Sequence, residues 1–390
     1  MLTPSTLSGR FEFPTQVAFG PGMSRAAAEE IACFGKRALV VTDRGIVAAG
    51  LVDAVCKPLA AAGVACTVFA DVHPNPLETD VREGLAVLNE CKADFLLAIG
   101  GGSPIDAAKV IRLMQHHPFP LAQYDATRGG DSLVTRPLIP LVAVPTTSGT
   151  GSEVSRSAVV TPAASGRKMV VFSPRLLPTL SVCDPALTVG LSARLTAATG
   201  ADALTHAVEA YLAQGFHPAA DALALQSVSY VFRYLRRAVV NPQDMEARAY
   251  MMLASMLGAM AFQKGLGACH SMAHALTAVH DTHHGLANAL CLAAVVGYNG
   301  EVVPERLREL DRAAGNGLGL LSNHDAAEHL LVELQGLLSD AGLPNRLRGA
   351  GVDEPDLEKL VAYALQDGCH QLNPRPVDAT AFRRLFRQVA

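Results

Sequence analysis

The hydrophobic period of the sequence changes part-way along, and that change limits the chain to two unlike halves. Before residue 188, short apolar runs recur at Ala38–Thr42, Ala65–Ala70, Phe95–Ile99 and Ile139–Val144. Each is rich in apolar and β-branched residues, as strands buried on both faces are. Helical periodicity fills the gaps, near Met23–Cys33, Ile46–Ala62, Pro76–Glu90 and Pro104–Met114. Such alternation predicts a parallel sheet covered by helices on both faces. From Ser192 onward the strand-like runs stop. Arg194–Leu212, Ala219–Arg237, Met245–Lys264, Ser271–Ala278, Leu286–Val296, His324–Ala341 and Pro355–Leu365 read as helices with short polar connectors. A boundary near Thr188–Ser192 is therefore expected, with an α/β domain over 1–190 and an all-helical domain over 191–390.

Half of the 390 residues are apolar and only 17% are charged, which suits a large core or a subunit interface. With a formal charge of −4, nothing favours nucleic acid or an anionic membrane as a partner. The longest apolar stretches, Met251–Phe262 and Leu286–Tyr298, fall short of the roughly 18 residues a bilayer span needs. The opening MLTPSTLSGRFEF has no apolar core behind a basic start, so no signal peptide is expected. Eight scattered cysteines form no CxxC pair and predict no disulfide framework, consistent with a cytoplasmic protein.

Two loops in the first half have the make-up of phosphate and dinucleotide binders. Gly100-Gly101-Gly102-Ser103-Pro104 follows the apolar run ending at Ile99. Glycines let the backbone turn sharply, and a proline suits the first turn of a helix. The free N–H groups of that helix start can hold a pyrophosphate. The second loop, Pro145-Thr146-Thr147-Ser148-Gly149-Thr150-Gly151-Ser152-Glu153, leaves the carboxyl end of another strand, where open α/β sheets bind ligands. Asp43 ends the run VVTD. A carboxylate there can accept from ribose hydroxyls and repel a 2′-phosphate, favouring NAD over NADP. A helix-capping role is the alternative.

The second half concentrates metal-ligand chemistry. Asp202 and His206 are four apart, as are His270 and His274, so each pair shares a helix face. Five of the thirteen histidines lie between His270 and His284. Imidazoles with a carboxylate suit Fe²⁺, Zn²⁺, Ni²⁺ or Co²⁺, and ligand type alone does not choose among them.

GGGSPIDAAK (Gly100–Lys109), PTTSGTGSE (Pro145–Glu153), GADALTHAVEAY (Gly200–Tyr211), and HSMAHAL followed by HHGLANA (His270–Ala289) resemble the iron-containing, or group III, alcohol dehydrogenases. HPNP (His73–Pro76), KMVVFSPRLLP (Lys168–Pro178) and DPAL (Asp184–Leu187) extend the likeness over nearly the whole chain. The resemblance implies a Rossmann-like α/β N-terminal domain and an all-α C-terminal domain, the dehydroquinate synthase-like architecture. It implies Asp202, His206, His270 and His284 as ligands of Fe²⁺, and His274 as a catalytic residue near the nicotinamide. It also implies NAD contacts from Asp43, Asn75, Gly101, Gly102, Ser103, Asp106, Thr146, Thr147, Thr150, Lys168 and Leu187. Two departures stand out: His283 replaces a usual proline, and Ala293-Ala294 stand where a Pro–His pair is common.

The activity implied is hydride transfer between NAD and a small primary alcohol or its aldehyde, in a homodimer or larger homo-oligomer. Maleylacetate reductase and hydroxyacid–oxoacid transhydrogenase activities are the enzymatic alternatives, with a non-catalytic binding protein on the same fold as the third. His280 and His283 are extra imidazoles without an assigned role. Arg375, in Asn373-Pro374-Arg375, could face an anionic substrate or be structural.

Overall fold

The computed structural model describes residues 16–164, 166–316, 321–353 and 355–390. The expected lack of a signal segment concerns residues outside that set. The chain forms two compact units. One comprises residues 16–147 with Gly151–Gly190, and the other joins Ser148–Thr150 to Leu191–Ala390.

The first unit is α/β. Its strands are β1 (Gln16–Phe19), β2 (Arg37–Val41), β3 (Ala65–Phe69), β4 (Phe95–Gly100), β5 (Leu141–Pro145), β6 (Ser157–Val160), β7 (Met169–Phe172) and β8 (Leu180–Cys183). Six of them make a parallel sheet in the order β1-β8-β5-β4-β2-β3. The remaining two, β6 and β7, pair antiparallel as a separate ribbon. Alternate residues of each central strand enter different apolar clusters. Leu39, Val41, Leu96, Ala98, Leu141 and Ala143 pack on one face. Ala38, Val40, Phe95, Leu97, Ile99, Val142 and Val144 pack on the other. Period-two side chains buried on both sides are why the strands read as continuous apolar runs.

Four strands were expected from the pattern, and the structure adds β1, β6, β7 and β8. Each of these has only four residues, too few for a periodic signal. One helical pattern is also broken. Gly50 adopts φ 73°, which ends the Arg44–Ala48 helix and starts Leu51–Ala61 in a new direction.

In the second unit the described residues hold helices and no strand. Ala193–Leu212 is its central helix, with nearly every residue after Leu195 buried. Its start is capped by the Ser192 hydroxyl, which accepts from the Leu195 N–H, a bond worth about 1 kcal/mol. Pro218–Val240, Met245–Ala261, Ala268–His280 and His284–Gly300 share one apolar core with it. Two helices had no counterpart in the sequence reading, Pro304–Ala313 and Ala379–Val389. No helix among the described residues is long and apolar enough to cross a membrane.

Candidate active site

Three helices of the second unit supply the clustered side chains. Asp202 and His206 lie one turn apart on Ala193–Leu212, and His270 and His274 one turn apart on Ala268–His280. His284 is the first residue of His284–Gly300. Single donor atoms of Asp202, His206 and His270 all lie within 4.8 Å of one another. His284 Nε2 is 3.5 Å from Asp202 Oδ1. The rings of His206 and His270 stack at 4.7 Å, and those of His270 and His284 sit 5.5 Å apart. The four residues implied as ligands thus meet in one place. Gly285 makes this approach possible. A Cβ there would lie 2.8 Å from the Ala198 carbonyl carbon and closer still to its oxygen, so only glycine lets the two helices come this near.

Two buried polar residues orient the cluster. The Glu209 carboxylate accepts from His270 Nδ1 at 2.6 Å and from the His270 and Cys269 backbone N–H groups at 3.2 and 2.6 Å. With its proton held on Nδ1, His270 carries a lone pair on Nε2. Asn288 Nδ2 donates to Asp202 Oδ1 at 2.7 Å and stands 3.4 and 3.3 Å from His270 Nε2 and His284 Nε2. Burial pushes His206 down to about 4, and desolvation with the neighbouring imidazoles pushes His284 well below its usual value. Burial acts the same way on His270, but the Glu209 carboxylate outweighs it and the pKa rises. Burial would raise Asp202, yet the three imidazoles and Asn288 hold its carboxyl below the usual range.

His274 stacks on His284 at 5.2 Å and bonds through Nδ1 to Asp367 Oδ2 at 2.8 Å. Asp367 also accepts from the Ser271 hydroxyl at 2.7 Å and the Cys369 N–H at 2.9 Å. Burial works against its charge, but His274, Ser271 and Cys369 hold it below the usual carboxylate range.

In the first unit, the loops carrying most of the residues implied in NAD contacts leave adjacent strands at the same end. Gly100 pairs with Pro145 in the β4–β5 register. It adopts φ +151°, and a Cβ there would meet Pro104 at 2.6 Å. Gly101 caps the Gly102–Met114 helix, and a Cβ on it would meet Thr147 at 3.3 Å. The hydroxyl of Thr146 is buried without a hydrogen-bond partner. The Ser103 hydroxyl donates to the Pro74 carbonyl, which places Asn75 beside the same helix start. Asp43 caps Arg44–Ala48 through the Ile46 N–H at 3.0 Å. Thr150 packs with the second unit.

Asp106, Leu187 and Lys168 lie outside these two loops. Asp106 is turned inward, accepting from the Ser152 hydroxyl at 2.5 Å and the Val159 N–H at 2.9 Å. Leu187 is buried in the apolar cluster of β8, and Lys168 directly precedes β7. Arg375 bonds the Tyr298 carbonyl at 2.9 Å and pairs with Glu301 at 2.8 Å. Its guanidinium is committed to structure. His283 is exposed, and burial together with Lys359 lowers His280. All eight cysteines are free thiols.

With this geometry in place, comparison with known proteins decides the family. The sequence profile "Iron-containing alcohol dehydrogenase" matches residues 14–185, and "Fe-containing alcohol dehydrogenase family, C-terminal" matches 196–390. The chain belongs to the iron-containing alcohol dehydrogenase family. It is 41% identical to 1,3-propanediol dehydrogenase of Klebsiella pneumoniae over 374 residues, 95% of this chain and 96% of that one. Identity to 4-hydroxybutyrate dehydrogenase of Cupriavidus necator is 42% over 362 residues, 90% of this chain and 92% of that one. The crystal structure of a 1,3-propanediol oxidoreductase superposes with a TM-score of 0.94 at 41% identity, covering 98% of this chain and 100% of that one. The protein is an alcohol/aldehyde oxidoreductase, and the expected α/β-plus-helical fold is the one this family adopts.

Sequence reasoning missed Glu209, Asn288 and Asp367. A signal existed for two of them. Glu209 lies seven residues after Asp202, and Asn288 four after His284, each on the face of its helix that carries the clustered side chains. Asp367 is 93 residues from His274 and carries no local signal.

Proposed function

We propose that this enzyme is a metal-dependent, NAD-linked dehydrogenase that interconverts a small primary alcohol and its aldehyde. The observation that carries the reading is the meeting of Asp202, His206 and His270 within 4.8 Å, with His284 beside Asp202. The donor set fits a divalent first-row cation, because three imidazoles and one carboxylate converge, with the Asn288 amide reaching Asp202, His270 and His284. Asp202, His206 and His270 are buried, so their donor atoms are kept from water and available to a cation. Asp202, His206, His270 and His284 would hold the metal. The family's name supports Fe²⁺, with Zn²⁺, Ni²⁺ and Co²⁺ open to the same ligands. The unpartnered Thr146 hydroxyl and the start of the Gly102–Met114 helix fit the polar parts of a dinucleotide. Asp43 favours NAD over NADP.

A metal held there would supply Lewis acidity at the substrate oxygen, and NAD would supply the hydride acceptor. Asp202 contributes the one negative charge of the donor set and Glu209 fixes the His270 ring. His274 holds its Nδ1 proton against Asp367, so Nε2 is free to take the hydroxyl proton during oxidation and return it during reduction. The names of the relatives support a short alcohol with a second oxygen function, such as a diol, a hydroxyaldehyde or an ω-hydroxy acid. Arg375 gives no support to an anionic substrate, since its charge is already matched by Glu301.

The complete ligand set argues against a maleylacetate reductase, and the oriented His274 against a non-catalytic protein. The test strips metal with a chelator, restores one metal at a time, and follows NADH absorbance with a panel of diols, hydroxy acids and simple alcohols. Activity should vanish and return with metal. Full turnover by metal-free protein would refute the proposal. Steady turnover of free NAD separates it from a transhydrogenase.

A further inference from the structure

The segments leaving β2 and β3 carry two carboxylates and one exposed cation in close array. Asp43 and Asp71 face each other as a backbone bridge between the segments that leave β2 and β3. Arg44 follows Asp43, and its side chain is 86% exposed. Its Nε and Nη2 both donate to Asp71 Oδ1, at 2.8 and 2.5 Å. Asp43 spends Oδ1 on the Ile46 N–H and makes no ion pair with Arg44.

We infer that Asp71 is a second determinant of dinucleotide choice, holding Arg44 away from a 2′-phosphate and adding its own charge against one. The inference rests on the reading of Asp43 as the residue that meets the adenosine ribose. A phosphate at the 2′ position carries close to two negative charges and seeks an arginine fork. Arg44 stands at the right place in the chain to offer that fork. One of its two bidentate edges, Nε with Nη2, is already occupied by Asp71. The Asp71 carboxylate also lies well within one Debye length of its neighbour Asp43, so a phosphate there meets both charges. Asp71 thus acts through Arg44 and through its field, while Asp43 acts by direct contact.

The test is calorimetric titration of NAD⁺ and of NADP⁺ into wild type, Asp71→Asn, Asp43→Asn and the double variant. Asparagine caps a helix as well as aspartate does, so Asp43→Asn keeps the Arg44–Ala48 start. Asp71→Asn should tighten NADP⁺ binding by roughly two- to fivefold, the scale of exposed charge pairs, with NAD⁺ changing by a smaller factor. The gain should shrink in high salt, and adding Arg44→Gln to Asp71→Asn should remove most of it. If Asp43→Asn shifts the NADP-to-NAD ratio and Asp71→Asn does not, the role of Asp71 is overturned while the ribose reading stands. If neither shifts it, both fail. Equal weakening of both dinucleotides by Asp71→Asn marks a merely structural residue and also overturns the inference.

Discussion

Glu209 Oε2 accepts from both the ring Nδ1 and the backbone N–H of His270, at 2.6 and 3.2 Å. One carboxylate oxygen therefore fixes where this imidazole sits and which nitrogen keeps the proton. Glu209→Gln weakens that acceptor and leaves the ring free to turn. Metal affinity should fall by about 10- to 100-fold, as it does when the partner of a ligating histidine is lost. Chelator competition reads this directly, and an unchanged affinity would show that Glu209 only packs.

His270→Ala or His284→Ala should lower metal content and turnover together, because each removes a proposed ligand. His274→Ala should behave differently. It should cost about 10²- to 10⁴-fold in kcat, the usual scale of general acid–base catalysis, while the metal stays bound. Elemental analysis beside steady-state kinetics separates the two classes. Loss of metal in His274→Ala would remove this residue from its proposed role.

Gly285→Ala tests how closely the ligand-bearing helices must approach. The added methyl would overlap the Ala198 carbonyl and sit 3.4 Å from Asp202 Cβ. Backbone cannot swing aside as a side chain can, so the His284–Gly300 helix must shift outward. Overpacking of this kind costs about 1–3 kcal/mol, and His284 should move from Asp202. Expected are a lower melting temperature and weaker metal binding in a still-folded protein, measured by calorimetry and metal titration.

Glu153 predicts a pH dependence of stability. Burial raises its carboxyl from 4.5 to about 7, against the opposing charge of Lys109. The folded protein thus binds this proton more tightly than the unfolded chain. Its stabilising contribution is complete below pH 4.5 and is lost as pH rises through about 7. Lys109, pushed down to about 8 by burial, changes stability only at higher pH. Across the lower window the wild type should lose about 3 kcal/mol relative to Glu153→Gln, at about 1.4 kcal/mol per pKa unit. Urea denaturation of both proteins at several pH values gives the difference, and parallel profiles would contradict it.

What the sequence determined by itself is what lies within a few turns or strands of chain. The i, i+4 spacing of Asp202 and His206 placed them on one helix face, because the helical period is a property of the local backbone. The apolar runs of β2, β4 and β5 identified a sheet buried on both sides for the same reason. Ala379–Val389 also carries a local signal, with Phe382, Leu385, Phe386 and Val389 at helical spacing. The resemblance of its motifs, rather than periodicity, joined His284 to Asp202, His206 and His270. The tertiary structure alone decided that Glu209 serves His270, 61 residues away, and that Asp367 serves His274. It also turned Asp106 inward and tied Arg44 to Asp71. Such partners are chosen by how whole helices and strands pack against one core, and no short stretch of sequence carries that information.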